Sequence, residues 1–90
     1  MTADSSVPRF SVGVRLREDP VRGRWVVLAP EKLFMPDEHA VEILKLVDGI
    51  RTLGEIVDSL ASRYDAPRDV IAADVVAMLQ DLAGKGAIQL

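Results

Sequence analysis

The chain contains no cysteine, one histidine, one tryptophan, one tyrosine and two phenylalanines. Without cysteine there are no disulfides, no thiolate metal ligands and no cysteine nucleophile, and a lone His39 makes no zinc site unaided. The chain therefore supplies no redox chemistry of its own. With so few aromatic side chains, Leu, Val, Ile and Ala must build the interior. No apolar run approaches the roughly 18–20 residues of a membrane span, and residues 1–7 lack the basic and apolar regions of a signal peptide. A cytoplasmic protein is the expectation. Catalytic sets are missing too. Ser5, Ser6, Ser11, Ser59 and Ser62 share one possible histidine partner, and "GKG" at 84–86 lacks the glycine spacing and hydroxyl of a phosphate loop. Asp37 and Glu38, the most conspicuous carboxylate pair, read as helix N-terminal charges favoured by the macrodipole. The sequence is not that of an enzyme.

What is present fits one small domain: 90 residues, of which 49% are hydrophobic. Residues 1–8 are polar and aperiodic and are expected to form a flexible tail, with the domain occupying 9–90. "VRLRE" (14–18) alternates apolar and charged residues, and "RWVVLA" (24–29) is β-branched and aromatic. The intervening "DPVRG" holds the residues that set turn dihedrals, so the two segments are expected to form a hairpin. "KLFM" (32–35) suits a third strand. Pro30 and Pro36 keep it short and at a sheet edge, because proline cannot donate to a ladder.

Three helices are expected next, over 38–47, 53–63 and 67–84. Asp37 caps the first, and Gly49 can close it in the left-handed conformation. Thr52 and Glu55 stand at capping-box spacing for the second, and Pro67 opens the third. The fold class is α+β: a three-stranded antiparallel sheet followed by a three-helix bundle, in a winged-helix-like order.

Such scaffolds often read DNA, but the charge is unfavourable. Residues 1–36 hold six bases against four acids, whereas 37–90 hold five against ten, so the helical half is acidic. On the third helix Ile71, Ala72, Val75, Val76, Met78, Leu79, Leu82 and Ala83 share an apolar arc of about 160°. The opposite face, with Asp74 and Asp81, repels phosphate. A DNA-binding regulator with a basic wing and a purely structural oligomerisation domain remain alternatives. The breadth of the arc is explained by central packing, or by one margin left as a groove wall near Ile71, Asp74 and Met78.

The segments "GVRLREDPVRGRWVVLAPEKLF", "EILKLVDGIRTLGEIVDSLASRYDAP" and "DVVAMLQDLAGKGAI" closely resemble the PqqD family, peptide chaperones of pyrroloquinoline quinone biosynthesis. The resemblance spans about residues 8–90, with Asp37 where the family cap is Asn and Val47 where a Cys often precedes "DG". It implies a recognition domain that binds a ribosomally made precursor peptide and presents it to a radical S-adenosylmethionine enzyme, which joins a glutamate and a tyrosine. The iron–sulfur clusters and S-adenosylmethionine belong to that partner, and no cofactor is implied for this chain. It further implies that the peptide adds as a strand beside Lys32, Leu33, Phe34 and Met35 and lies against Ile71, Asp74, Val75 and Met78. Arg15, Arg17, Arg22 and Arg24 of the hairpin are the candidate enzyme-docking residues, and the protein is expected as a monomer or homodimer.

Overall fold

A computed structural model of the chain describes residues 4–90. The elements run β1 (Arg9–Phe10), β2 (Arg15–Asp19), β3 (Arg24–Leu28), β4 (Leu33–Phe34), α1 (Glu38–Leu44), α2 (Leu53–Ala61), α3 (Arg68–Gly84) and β5 (Ile88–Gln89). The expected three-stranded antiparallel sheet is present in the order β2-β3-β4, and the three helices follow it. Asp19 begins the β2–β3 turn by accepting from the amides of Val21 (3.1 Å) and Arg22 (3.3 Å). Gly23 ends it at a φ of 64°, where a Cβ is disfavoured.

Strand alternation divides the sheet. Val27 is fully buried, and its cross-strand neighbours Leu16 and Phe34 pack with it against the helical core. The core continues through Leu44, Leu53, Ile56, Val57, Val75 and Leu79, each at most 1% exposed. The apolar arc of α3 is buried or half-buried along its length, while Ala73, Asp74, Ala77, Gln80 and Asp81 are exposed.

Helix boundaries follow from local hydrogen bonds. Asp37 accepts from the Ala40 amide at 2.8 Å and starts α1. That helix ends at Leu44, earlier than its apolar period suggests. The chain tightens into i→i+3 bonds from Leu46 to Ile43 and from Val47 to Leu44, which still turn Val47 into the core. Gly49 does adopt a positive φ, 76°, but in the following turn, where Asp48 Oδ1 accepts from the amides of Ile50 and Arg51, both at 2.9 Å. The capping box of α2 is complete: the Glu55 amide donates to Thr52 (3.1 Å), and the Thr52 amide donates to the Glu55 carboxylate (2.9 Å). Its last turn closes at Ala61 rather than at 63, with Arg63 and Tyr64 donating to the Leu60 carbonyl. Pro67 is the residue before α3 rather than its first helical position. At the other end Gly86 has a φ of 81°, and the amides of Gly86 and Ala87 donate to Ala83 and Leu82, a Schellman closure.

Two further features depart from the sequence-based expectation. A second, two-stranded sheet joins β1 to β5, pairing Arg9 with Gln89 and Phe10 with Ile88 and so tying the two ends of the domain together. The tail expected over 1–8 does not stand free from Asp4 onward. The Ser6 and Asp4 carbonyls accept from Leu53 (2.7 Å) and Gly54 (2.9 Å), the first amides of α2, and Pro8 is buried. Residues 1–3 of that expected tail lie outside the described residues.

Candidate functional site

The sheet presents β4 as an edge, hydrogen-bonded on one side only, to β3. The Ala29 amide donates to the Lys32 carbonyl at 3.0 Å, and the register continues Leu28↔Leu33 and Val27↔Phe34. In an antiparallel ladder the bonded pairs alternate, so Val27↔Phe34 is the next bonded pair. The main-chain groups of Leu33 and Met35 then point to the open side. Pro36 ends the edge because it has no amide hydrogen. Charged side chains do not block β4: Leu33 is 47% exposed and Met35 is 60% exposed.

A groove runs beside this edge. Phe34, Met35, Pro36, Asp37 and Ala40 form one wall, and Met78, Asp81 and Leu82 of α3, with Lys85 just past its end, form the other, around about 290 Å³. α3 packs chiefly on α2 and β5, leaving its α1-facing side to line this space. Toward the start of α3 the same side continues through Ile71, Asp74 and Val75, which face His39, Glu42, Ile43, Leu60, Tyr64 and Ala66 around a further 240 Å³. Beyond the other end of β4, Lys32 and Phe34 line a depression with Lys85 and Gly86.

The candidate residues are thus brought together unevenly. Phe34, Met35 and Met78 share one groove segment, and Ile71, Asp74 and Val75 share the next. Val75, only 1% exposed, forms floor rather than wall. Lys32 lies at the far turn. Leu33 offers its main chain to the edge, but its side chain falls on the opposite sheet face, in a depression with Arg17, Val26 and Leu28. Asp37, Ala40, Asp81, Leu82 and Lys85 were not among the peptide-contact candidates read from the sequence. For the α3 members the signal existed: Met78, Leu82 and Lys85 stand at i, i+4 and i+7 on one helical face.

Most groove charges are already engaged. Lys85 holds Asp81 at 3.0 Å, and Lys45 and Arg63 both approach Glu42 at 3.5 Å. Lys45 also sits 4.8 Å above the Trp25 ring. Arg24 donates to the Met35 sulfur at 3.4 Å. The Asp74 carboxylate has no ion pair or hydrogen bond among the described residues. Two groups with displaced pKa values lie elsewhere. Asp48 is held below the usual carboxylate range by the amides of Arg51 and Ile50, and Arg68 is raised by its hydrogen bond to Asp58. No cluster of metal-ligating side chains occurs among the described residues, and no described helix is long and apolar enough to cross a membrane.

The hairpin arginines are all exposed. Arg15 and Arg17 stand opposite Leu28 and Val26, and Arg24 stands opposite Asp19, all on the sheet face away from the core. Arg22, in the turn, reaches Asp19 at 3.8 Å. Chemically, the groove offers unpaired main-chain groups beside apolar walls, an arrangement suited to an extended peptide.

Comparison with known proteins points the same way. Residues 24–88 match the family model described as Coenzyme PQQ synthesis protein D (PqqD). A "PqqA binding protein" of Rhodopseudomonas palustris (strain BisB5) is 52% identical over 84 residues, covering 93% of this chain and 82% of that protein. The "Bifunctional coenzyme PQQ synthesis protein C/D" of Methylorubrum extorquens is 48% identical over 94% of this chain, which spans only 23% of that longer protein. Among solved structures, the solution structure of the PqqD part of Methylobacterium extorquens PqqCD superposes with a TM-score of 0.82. It is 46% identical, and the match covers 100% of this chain and 96% of the other, which is described as a functional, stand-alone recognition element for ribosomally synthesized and post-translationally modified peptides.

Proposed function

The chain belongs to the PqqD family, and we propose on that premise that it binds a PqqA precursor peptide by strand addition at β4 and presents it to a radical S-adenosylmethionine enzyme. It performs no catalysis itself and works in the cytoplasm, as a monomer or homodimer. The observation that carries this reading is the open β4 edge beside a groove walled by α3, in which Phe34, Met78 and Leu82 stand among charged rim residues. Main-chain pairing supplies affinity that tolerates sequence variation, and the groove walls supply selectivity. Lys32, Leu33, Phe34 and Met35 form the pairing side, and Ile71, Asp74 and Met78 the helical side, with Val75 beneath them. Arg15, Arg17, Arg22 and Arg24 form the surface that meets the enzyme, which brings the metal clusters and the S-adenosylmethionine. The fused C/D relative supports a working arrangement in which such a domain sits next to an enzyme of its pathway.

Calorimetric titration separates this from the DNA alternative. A synthetic PqqA peptide is expected to bind with one site and with affinity that changes little between low and moderate salt. Duplex DNA is expected to give no heat at moderate salt, because phosphate binding falls steeply as counterions are released. Salt-sensitive DNA binding together with an inert peptide contradicts the proposal.

A further inference from the structure

Past the point where strand pairing must stop, a separate depression lies toward the start of α3. Pro36 offers no amide hydrogen, and the chain turns into α1 immediately after it. A peptide running on in that direction loses its main-chain partners and meets the second groove segment, of about 240 Å³. Its floor is aliphatic, made by Ile43, Leu60 and Val75, all under 10% exposed. Ile71 and Tyr64 stand at its sides. Asp74 lies at its rim, and it is the carboxylate there without a partner among the described residues, since Glu42 is held by Lys45 and Arg63.

We propose that this segment is a side-chain socket that fixes the register of the bound peptide: it takes one large apolar residue, with a neighbouring Lys or Arg directed to Asp74. The inference rests on the peptide-binding reading above and adds to it a specificity-determining site. Helix geometry gives the spacing. Ile71 lies seven residues before Met78, about 10 Å along α3. An extended peptide covers that in about three residues. The anchor therefore falls about three residues beyond the residue that packs on Met78. The socket lies past the C-terminal end of β4, so an anchor N-terminal to the paired segment marks antiparallel addition and one C-terminal to it marks parallel addition.

The socket is opened or closed by chemistry in the peptide, so the peptide is where it is tested. A fluorescein-labelled PqqA peptide and its alanine scan are titrated against the wild-type protein and against Asp74→Lys. Asp74 is exposed and lysine is the better helix former, so the variant is expected to fold. One apolar peptide position, about three residues outside the paired segment, should weaken binding on the order of ten-fold or more when changed to Ala. Asp74→Lys should weaken the native peptide about two- to five-fold, and changing the neighbouring basic residue to Glu should restore binding to that variant. Amide exchange at Leu33 and Met35, followed on the same samples, reports strand pairing separately. Protection there with no sensitive position outside the paired segment overturns the socket and leaves strand addition standing. Equal binding of every charge variant by both proteins overturns the role of Asp74.

Discussion

Replacing Gly49 by Val tests the turn that joins α1 to α2. The glycine sits at a φ of 76°, a conformation that costs an L-residue about 1–2 kcal/mol, and more with a branched Cβ. Space is not the problem, because an added Cβ meets only the Arg9 Cβ at 3.8 Å, an ordinary contact. Losing glycine also stiffens the unfolded chain, which returns about 0.4–1 kcal/mol. For Ala the net loss is thus about 1 kcal/mol, and for Val somewhat more. The chain cannot escape the strain cheaply, since moving to negative φ breaks the two amide bonds to Asp48 and its 2.7 Å contact with Arg51. In a domain of this size each kcal/mol lowers Tm by about 4–8 °C. Thermal unfolding followed by circular dichroism should show that order, Val below Ala below wild type. PqqA binding at 25 °C should be unchanged, because Gly49 lines none of the groove segments. An unaltered Tm for Gly49→Val refutes the turn geometry, and a lost peptide affinity with intact folding refutes the placement of the site.

Three further substitutions bear on other parts of the structure. Met78→Glu places a carboxylate on the groove wall beside Asp81 and should weaken peptide binding about ten-fold or more with a modest drop in Tm, because Met78 is only half-buried; denaturation of the domain instead would show that Met78 is core. Asp48→Asn should lower stability at neutral pH. The Asp48 carboxyl titrates below its unfolded value because amides donate to it, so its contribution is present above the ordinary carboxylate range and is lost as pH falls through the lowered pKa. The gap in Tm between wild type and Asp48→Asn should therefore narrow as the pH is taken down below the ordinary carboxylate range. Gly54→Val adds bulk where even a Cβ would stand 3.4 Å from Asp4, so it should loosen the segment that caps α2 and speed hydrogen exchange of the Leu53 amide, which donates to Ser6.

What the sequence made legible was local. The capping box needs only Thr52 and Glu55, three residues apart, and the hairpin turn needs only Asp19 and Gly23, so both could be read before any tertiary contact was known. The β1–β5 ribbon could not, because Phe10 and Ile88 come from opposite ends of the chain and two-residue strands carry no periodicity. Nor could the capping of α2 by Asp4 and Ser6, which act through backbone carbonyls that any residue possesses. The end of α1 was misplaced because Leu46 and Val47 stay inward in a 3₁₀-type turn as they would in a continued helix. At the site, Pro30 and Pro36 marked the edge strand, whereas the width of the α3 arc left central packing and a groove margin as alternatives. Which margin it was depended on where α1 lies. The outward side chain of Leu33 depended on strand register, since a shift of one residue exchanges the faces.

Strand addition at β4 is tested most directly by hydrogen exchange of the individual amides in 31–36 with and without saturating PqqA peptide. Leu33 and Met35, whose amides face the open edge, should slow markedly on binding, while Phe34, already paired with Val27, should change much less. Amides within α3 are bonded inside the helix and should also change little, even where Met78 touches the peptide. The protection at Leu33 and Met35 should persist at moderate salt, because main-chain pairing and apolar contact are weakly screened. Saturation with no slowing at either amide contradicts peptide addition at this edge.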